Sequence, residues 1–333
     1  MIDLHLHLDG SLNPENILEM ARMAGVDLPY TEEAVIRTKM MVEPDCTNLG
    51  EYLEKFDLPL QLLQTAETIA YAVYELMRDL KEQGLCYAEI RYAPQLHLQK
   101  GLTQTEVVEA AIRGRNKGMQ DFGIPANLIL CCMRSDRNYA ENMETIMVAE
   151  KYLGQGVCAV DLAGNEAAYP TEMFKDIFAL AREKGVPMVI HAGEAAGPES
   201  VWQALEFGAS RIGHGIHSIE DAKLMQVLKE KGVYLEMCYS SNLQTKTVDN
   251  VEDYPLVQFL LEGLPVTLHT DNLTVSNTAL QREYRLVQEQ FSLTDAQLKE
   301  IALRTAEATF LSAKEKEVLK EQIDRGFLEW LHQ

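Results

Sequence analysis

The stretch Ile2-Asp3-Leu4-His5-Leu6-His7-Leu8-Asp9-Gly10 decides the fold class. Its apolar run from Ile2 to Leu8 predicts a strand. An open doubly wound sheet would usually place a glycine-rich phosphate loop after such a strand. Here His7-Leu8-Asp9-Gly10 stands in that place. Further short apolar, β-branched runs lie at Leu85 to Tyr92, Asn127 to Met133, Val157 to Leu162 and Pro187 to His191. The last three lie near Arg211 to Gly213, Val233 to Met237 and Pro265 to Thr270. Helical patterns separate them, as at Thr103 to Phe122, Thr171 to Lys184 and Ile219 to Lys231. About eight strands, each followed by helix, is the pattern of an α/β chain folded as a (β/α)8 TIM barrel.

Two regions depart from the alternation. Residues 13 to 81 read as a helical insertion after strand 1, packed near the barrel mouth as a partial lid. Residues Thr294 to Gln333 read as extra C-terminal helices closing the outside of the barrel. Neither is marked off by a Pro/Gly/Ser-rich linker and no internal repeat occurs, so residues 1–333 are expected to form one domain. With 333 residues, 47% of them hydrophobic, the chain can bury the core such a barrel needs.

The net charge of −21 repels phosphate backbones and anionic membrane surfaces. Nucleic acid and membrane are therefore not expected partners, whereas a small neutral or cationic ligand is not repelled. The same charge also serves solubility. Six cysteines without Cys-x-x-Cys spacing predict buried free thiols in a reducing compartment. No apolar stretch reaches the roughly 20 residues of a spanning helix. The first strand leaves no room for a cleavable signal, so the expected location is cytoplasmic.

Polar residues fall at the predicted strand ends, where α/β barrels carry catalytic groups. His5 and His7, two apart on one strand, point to the same side and form a natural metal half-site. A pair of core histidines satisfied by neighbours would give the same spacing. In Val189-Ile190-His191-Ala192-Gly193-Glu194, His191 could be a third ligand, and Glu194 a partly desolvated acid beside the metal. A helix-capping glutamate is the alternative for Glu194. In Arg211-Ile212-Gly213-His214-Gly215, flanking glycines allow close approach of a ligand, and His214 suits a general base or an electrostatic stabiliser. His217 reads as structural. Leu268-His269-Thr270-Asp271-Asn272 supplies Asp271 as a hard oxygen ligand, with His269 behind it or merely packed. Three histidines and an aspartate suit Zn²⁺ with one position open for water, whose pKa zinc lowers to about 7.

Taken together, six motifs resemble the adenosine deaminase family of metal-dependent hydrolases. They are His5-Leu6-His7-Leu8-Asp9-Gly10, Asp161-Leu162-Ala163-Gly164-Asn165-Glu166, His191-Ala192-Gly193-Glu194, Arg211-Ile212-Gly213-His214-Gly215, Ser240-Ser241-Asn242 and Thr270-Asp271-Asn272. The resemblance runs from Ile2 to about Asn277. It implies one zinc per chain, held by His5, His7, His191 and Asp271. It implies that Glu194 protonates N1 of a purine, that His214 orients and helps deprotonate the attacking water, and that Asp271 also accepts a hydrogen bond from that water. Gly164 would contact N3, Asp9 the ribose and Asn272 N7. The implied reaction is hydrolytic deamination of adenosine and 2′-deoxyadenosine to inosine and ammonia, with a purine nucleoside as the small-molecule partner.

Two positions shape the substrate. Many family members have aspartate where this chain has Asn272, and an asparagine can donate its amide N–H directly to N7. Adenine-specific relatives usually have glutamate where this chain has Asp9, whose carboxylate would repel a 5′-phosphate. Alternatives are another 6-aminopurine (adenine, a modified adenosine or aminofutalosine), an amide or ester hydrolase, and a non-catalytic purine binder. The run Val157 to Leu162 has no lysine for the carbamylated site of binuclear hydrolases. Fe²⁺, Mn²⁺ and Co²⁺ suit the same ligands as zinc.

Overall fold

Parallel strands buried on both faces are written as near-continuous apolar runs, because helices cover one side and the barrel interior the other. The computed structural model, which describes residues 1–43 and 46–333, follows that rule. Its strands are β1 (Ile2–His7), β2 (Tyr87–Tyr92), β3 (Ala126–Met133), β4 (Val157–Ala163), β5 (Val189–Ala192), β6 (Arg211–His214), β7 (Tyr234–Met237) and β8 (Val266–Leu268). Each predicted run overlaps one of them, with ends that differ by a few residues at most.

All neighbouring strands are parallel, in the orders β1-β2-β3-β4 and β5-β6-β7-β8. Two narrow seams join these half-barrels. At one, Val160 bridges to Met188, and the Val160 N–H donates to the Pro187 carbonyl at 2.9 Å. At the other, Leu6 bridges to Asp271, where the His7 N–H donates to the Asp271 carbonyl and the Asp271 N–H to the His5 carbonyl, both at 2.8 Å. The fold is a (β/α)8 TIM barrel.

Helix ends obey local chemistry. Thr103 and Glu106 form a capping box at the start of Gln104–Phe122, and left-handed Gly123 ends that helix. The expected insertion needs one correction. Residues 44 and 45 of it lie outside the described residues. Ile17–Ala24, Glu33–Met40, Leu49–Leu53 and Asp57–Leu62 are short helices. Ala66–Glu82, by contrast, packs along Gln104–Phe122 as a regular member of the outer ring. The insertion therefore stops before the Thr65 capping box instead of running on to residue 81. Both parts carry an apolar helical face, so periodicity alone did not separate them. At the C-terminus, Asp295–Ala308 lies against β1 and β8, and Ala313–His332 packs on it.

All six cysteines are free, and five are buried. No helix among the described residues is long and apolar enough to cross a membrane.

The barrel interior is charged below its mouth. Arg91 meets Asp161 and Glu236 at 2.9 Å each. Arg211 meets Glu89 at 2.7 Å and Glu236 at 2.6 Å. All five side chains are buried. Such a layer survives burial only because each charge faces an opposite one.

Candidate active site

Above that layer, the strand ends converge on one cavity. His7, Asp9, His191, Glu194, His214 and Asp271 form its polar floor, and Leu49, Tyr52, Leu53, Phe56 and Leu60 of the insertion form an apolar wall. Gly164 and Asn272 also line it, so the cavity gathers every expected site residue except His5, which lies beneath the floor. Close approach there depends on glycine: a Cβ at Gly213 would stand 3.0 Å from the His5 ring and 3.2 Å from His191. His214 and Asp271 both hold left-handed backbone, φ 63° and 60°. Strain of this kind persists where surrounding structure fixes it, commonly at functional sites.

One ligand atom from each of His5, His191, His214 and Asp271 lies within 4.8 Å of the others. His7 Nε2 joins them at 3.3 Å from both His191 Nε2 and Asp271 Oδ1. His5 Nε2 is 3.4 Å from Asp271 Oδ1. Four ligands around a tetrahedral zinc at ~2.0–2.1 Å stand about 3.3–3.4 Å apart.

Hydrogen bonds on the far side of each ring show which lone pairs are free. His5 Nδ1 donates to Glu236 at 2.9 Å, leaving His5 Nε2 buried without a partner. His191 Nδ1 donates to Asp161 at 2.9 Å, leaving its Nε2 toward the site. Outer carboxylates of this kind orient metal-binding imidazoles. Ser241 donates to Asp271 Oδ2 at 2.6 Å, which leaves Oδ1 for the ligand cluster.

His214 differs. The Cys238 backbone N–H can only donate, and it reaches Asn242 Oδ1 at 3.3 Å. Asn242 Nδ2 therefore donates to His214 Nδ1 at 2.9 Å, so a neutral His214 carries its proton on Nε2. That nitrogen faces Glu194 at 3.6 Å. It has no lone pair for a metal, so the donor set that fits zinc is His5, His7, His191 and Asp271. In this tautomer the ring gives water an N–H to accept. The deprotonating role expected from the sequence would need the lone pair turned inward instead.

Charge states match this division. Burial, reinforced by Arg91 and His191, pushes His5 down to about 4, and burial also holds His7 well below its ordinary value. Burial opposes ionisation of Asp271, but His5, His7 and His214 outweigh it and hold the carboxyl well down. His191 moves the other way, because Asp161 overcomes the effect of burial. Burial raises Glu194, partly offset by His214, and pushes Asp9 up to about 6.

Glu194 is anchored from behind. Glu166 accepts the backbone N–H groups of Gly193, Glu194, Ala195 and Ala196 at 2.7–3.2 Å, and the Ser200 hydroxyl donates to it as well. The turn after β5 thus closes around a carboxylate, which aims Glu194 into the cavity.

His269 belongs to the core. Its Nδ1 accepts the Leu4 N–H at 3.0 Å and its Nε2 bonds Thr267 at 2.8 Å. His217 pairs with Glu220 at 2.6 Å, away from the cluster. The functional residues that sequence reasoning missed are Glu236, the orienting roles of Asp161, Glu166, Ser241 and Asn242, and Tyr52. A charged residue inside an otherwise apolar strand is the signal that could have found Glu236.

Comparison with known proteins identifies the family. An adenosine deaminase family model matches residues 1–326. The adenosine deaminase of Haemophilus ducreyi is 50% identical over 331 residues, 98% of this chain and 96% of its own. That of Enterococcus faecalis is 39% identical over 328 residues, again 98% and 96%. Among solved structures, an adenine deaminase from Arthrobacter aurescens superposes with a TM-score of 0.88 at 26% identity, covering 100% of this chain and 99% of that one. Sequence, fold and the grouping of histidines and aspartate at the barrel mouth converge, and the chain belongs to the adenosine deaminase family.

Proposed function

We propose that the protein hydrolytically deaminates adenosine and 2′-deoxyadenosine, giving the corresponding inosines and ammonia. One observation carries this reading: a buried carboxyl, Glu194, faces the same cavity as a donor set spaced for a single tetrahedral metal ion. His5, His7, His191 and Asp271 would hold that ion, one zinc per chain. When bound, zinc supplies a water made nucleophilic at neutral pH.

The chain's own residues do the rest. Water oxygen adds to C6 of the purine, and the electron pair of the C6–N1 double bond moves onto N1. Glu194, whose carboxyl burial raises, delivers its proton there, so no anion builds up on the ring. His214 donates Nε2–H to the water and holds it against C6. Asp271 Oδ2 still has lone-pair capacity beyond the Ser241 bond and accepts from the same water. The C6–N6 bond then breaks: of the two protons the water brought, one passes by way of Asp271 to N6 so that ammonia leaves, the other restores the Glu194 carboxyl, and the 6-oxo purine remains. Asp9, with one carboxylate oxygen buried and unpartnered, accepts from the ribose. The Gly164 amide meets N3, and Asn272 donates to N7.

The test is ammonia release from adenosine, 2′-deoxyadenosine, adenine and AMP, each mixed separately with zinc-loaded protein. Release from the two nucleosides, with little from adenine or AMP, is the expected result. Release from adenine alone would reassign the substrate and remove the ribose role of Asp9. Release from none would overturn the reaction.

A further inference from the structure

We propose that Tyr52, on the short helix Leu49–Leu53 of the insertion, is the positioning residue that turns the Asn272 amide toward the purine. This rests on the reading of Asn272 as the N7 contact. Purine N7 only accepts hydrogen bonds, so Asn272 serves it only with nitrogen, not oxygen, toward the ring.

An amide side chain has nearly the same shape either way round, and its orientation is set by its neighbours. Asn272 Nδ2 donates to the Tyr52 hydroxyl oxygen at 2.9 Å. That hydroxyl also lies 2.6 Å from Ser276 Oγ, where either oxygen can donate; with the Asn272 N–H on one of its lone pairs, its own proton is free for the serine. Asn272 Oδ1 is buried without a partner and fills the space where a Cβ at Gly10 would stand, 1.7 Å away. The Gly10 carbonyl already accepts the N–H groups of Thr274 and Val275. Turned over, the amide would press two N–H donors against that glycine with no acceptor free, which costs more than one orphaned carbonyl oxygen. An NH₂ group has two hydrogens. Tyr52 takes one, and the plane it fixes leaves the other for a ligand in the cavity that both residues line.

The experiment compares adenosine with its 7-deaza analogue, in which C–H replaces N7, on the metal-loaded enzyme. KM and kcat are measured for adenosine and a competitive Ki for the analogue. The wild type is expected to favour adenosine about tenfold, the value of a donor left unpaired. Tyr52→Phe keeps the ring and removes only the hydroxyl. It is expected to raise KM for adenosine about tenfold, change kcat less than threefold and leave the analogue's Ki unmoved, so the preference disappears. Ser276→Ala, which frees the hydroxyl to rotate, is expected to shift the preference the same way by a smaller factor. A Tyr52→Phe enzyme that keeps the wild-type preference overturns the role of Tyr52. A wild type without any preference overturns the Asn272 contact itself, and the inference falls with it.

Discussion

The middle of the barrel and its mouth both bury ionisable side chains and do opposite things with them. In the middle, Arg91 and Arg211 face Asp161, Glu89 and Glu236, and every charge has a partner within 3 Å. At the mouth, His5 Nε2 and one oxygen of Asp9 are buried with none. Burial without a partner normally costs free energy, and a ligand that meets such an atom removes that cost. The two layers touch: Glu236 and Asp161 pair with arginine below and hold His5 and His191 above. A compensated layer is therefore the base on which the uncompensated one stands.

The contrast can be broken from either side. The largest effect is expected at the mouth: His5→Ala should lose bound metal and all detectable turnover. Full metal occupancy, measured by elemental analysis, would remove His5 from the ligand set. Glu194→Gln should keep metal and bind nucleoside but lose ~10²–10⁴ in kcat; unchanged turnover would put the acid elsewhere. In the middle layer, Arg91→Met should leave Asp161 and Glu236 short of positive charge and cost about 3–5 kcal/mol of stability. A urea midpoint close to that of the wild type would refute the view that this layer is held by compensation. Glu166→Gln sharpens the comparison with the smallest effect. Its amide would set N–H against N–H beneath the turn, misplacing Glu194 and lowering kcat by about 10–100-fold. Metal content should not change, and loss of metal would mean that the turn supports His191 instead of the acid.

Legibility in the sequence divides along the same line. The strands could be read because double-sided burial writes them as apolar runs, and the ligands because they sit just where those runs stop. His269 and His7 share a residue type, yet only burial partners separate them: Leu4 and Thr267 occupy both nitrogens of His269. Glu236 stands out as a charge in an apolar strand, but its role was not legible because its partner His5 lies 231 positions away, a relation created by barrel closure. Tyr52 was hidden differently. An aromatic residue on a short helix reads as core, and nothing local reports that its hydroxyl meets Asn272, 220 positions on. Nothing next to Gly10 in the chain reports that its lack of a side chain is what makes room for the Asn272 amide.

The seam at Leu6 and Asp271 has a consequence for how the molecule is made. Synthesis delivers β1 first, but the strand end that closes against it comes near the finish. Asp3 must wait for the Thr270 hydroxyl, 267 positions later, and the His5–His7 pair must wait for Asp271. Until then the nascent chain carries at most three of the four metal donors and a raw barrel edge at β1. Completing the catalytic centre and sealing the barrel are one event, so a ribosome that stops before residue 271 releases a chain that is both inactive and open along that edge.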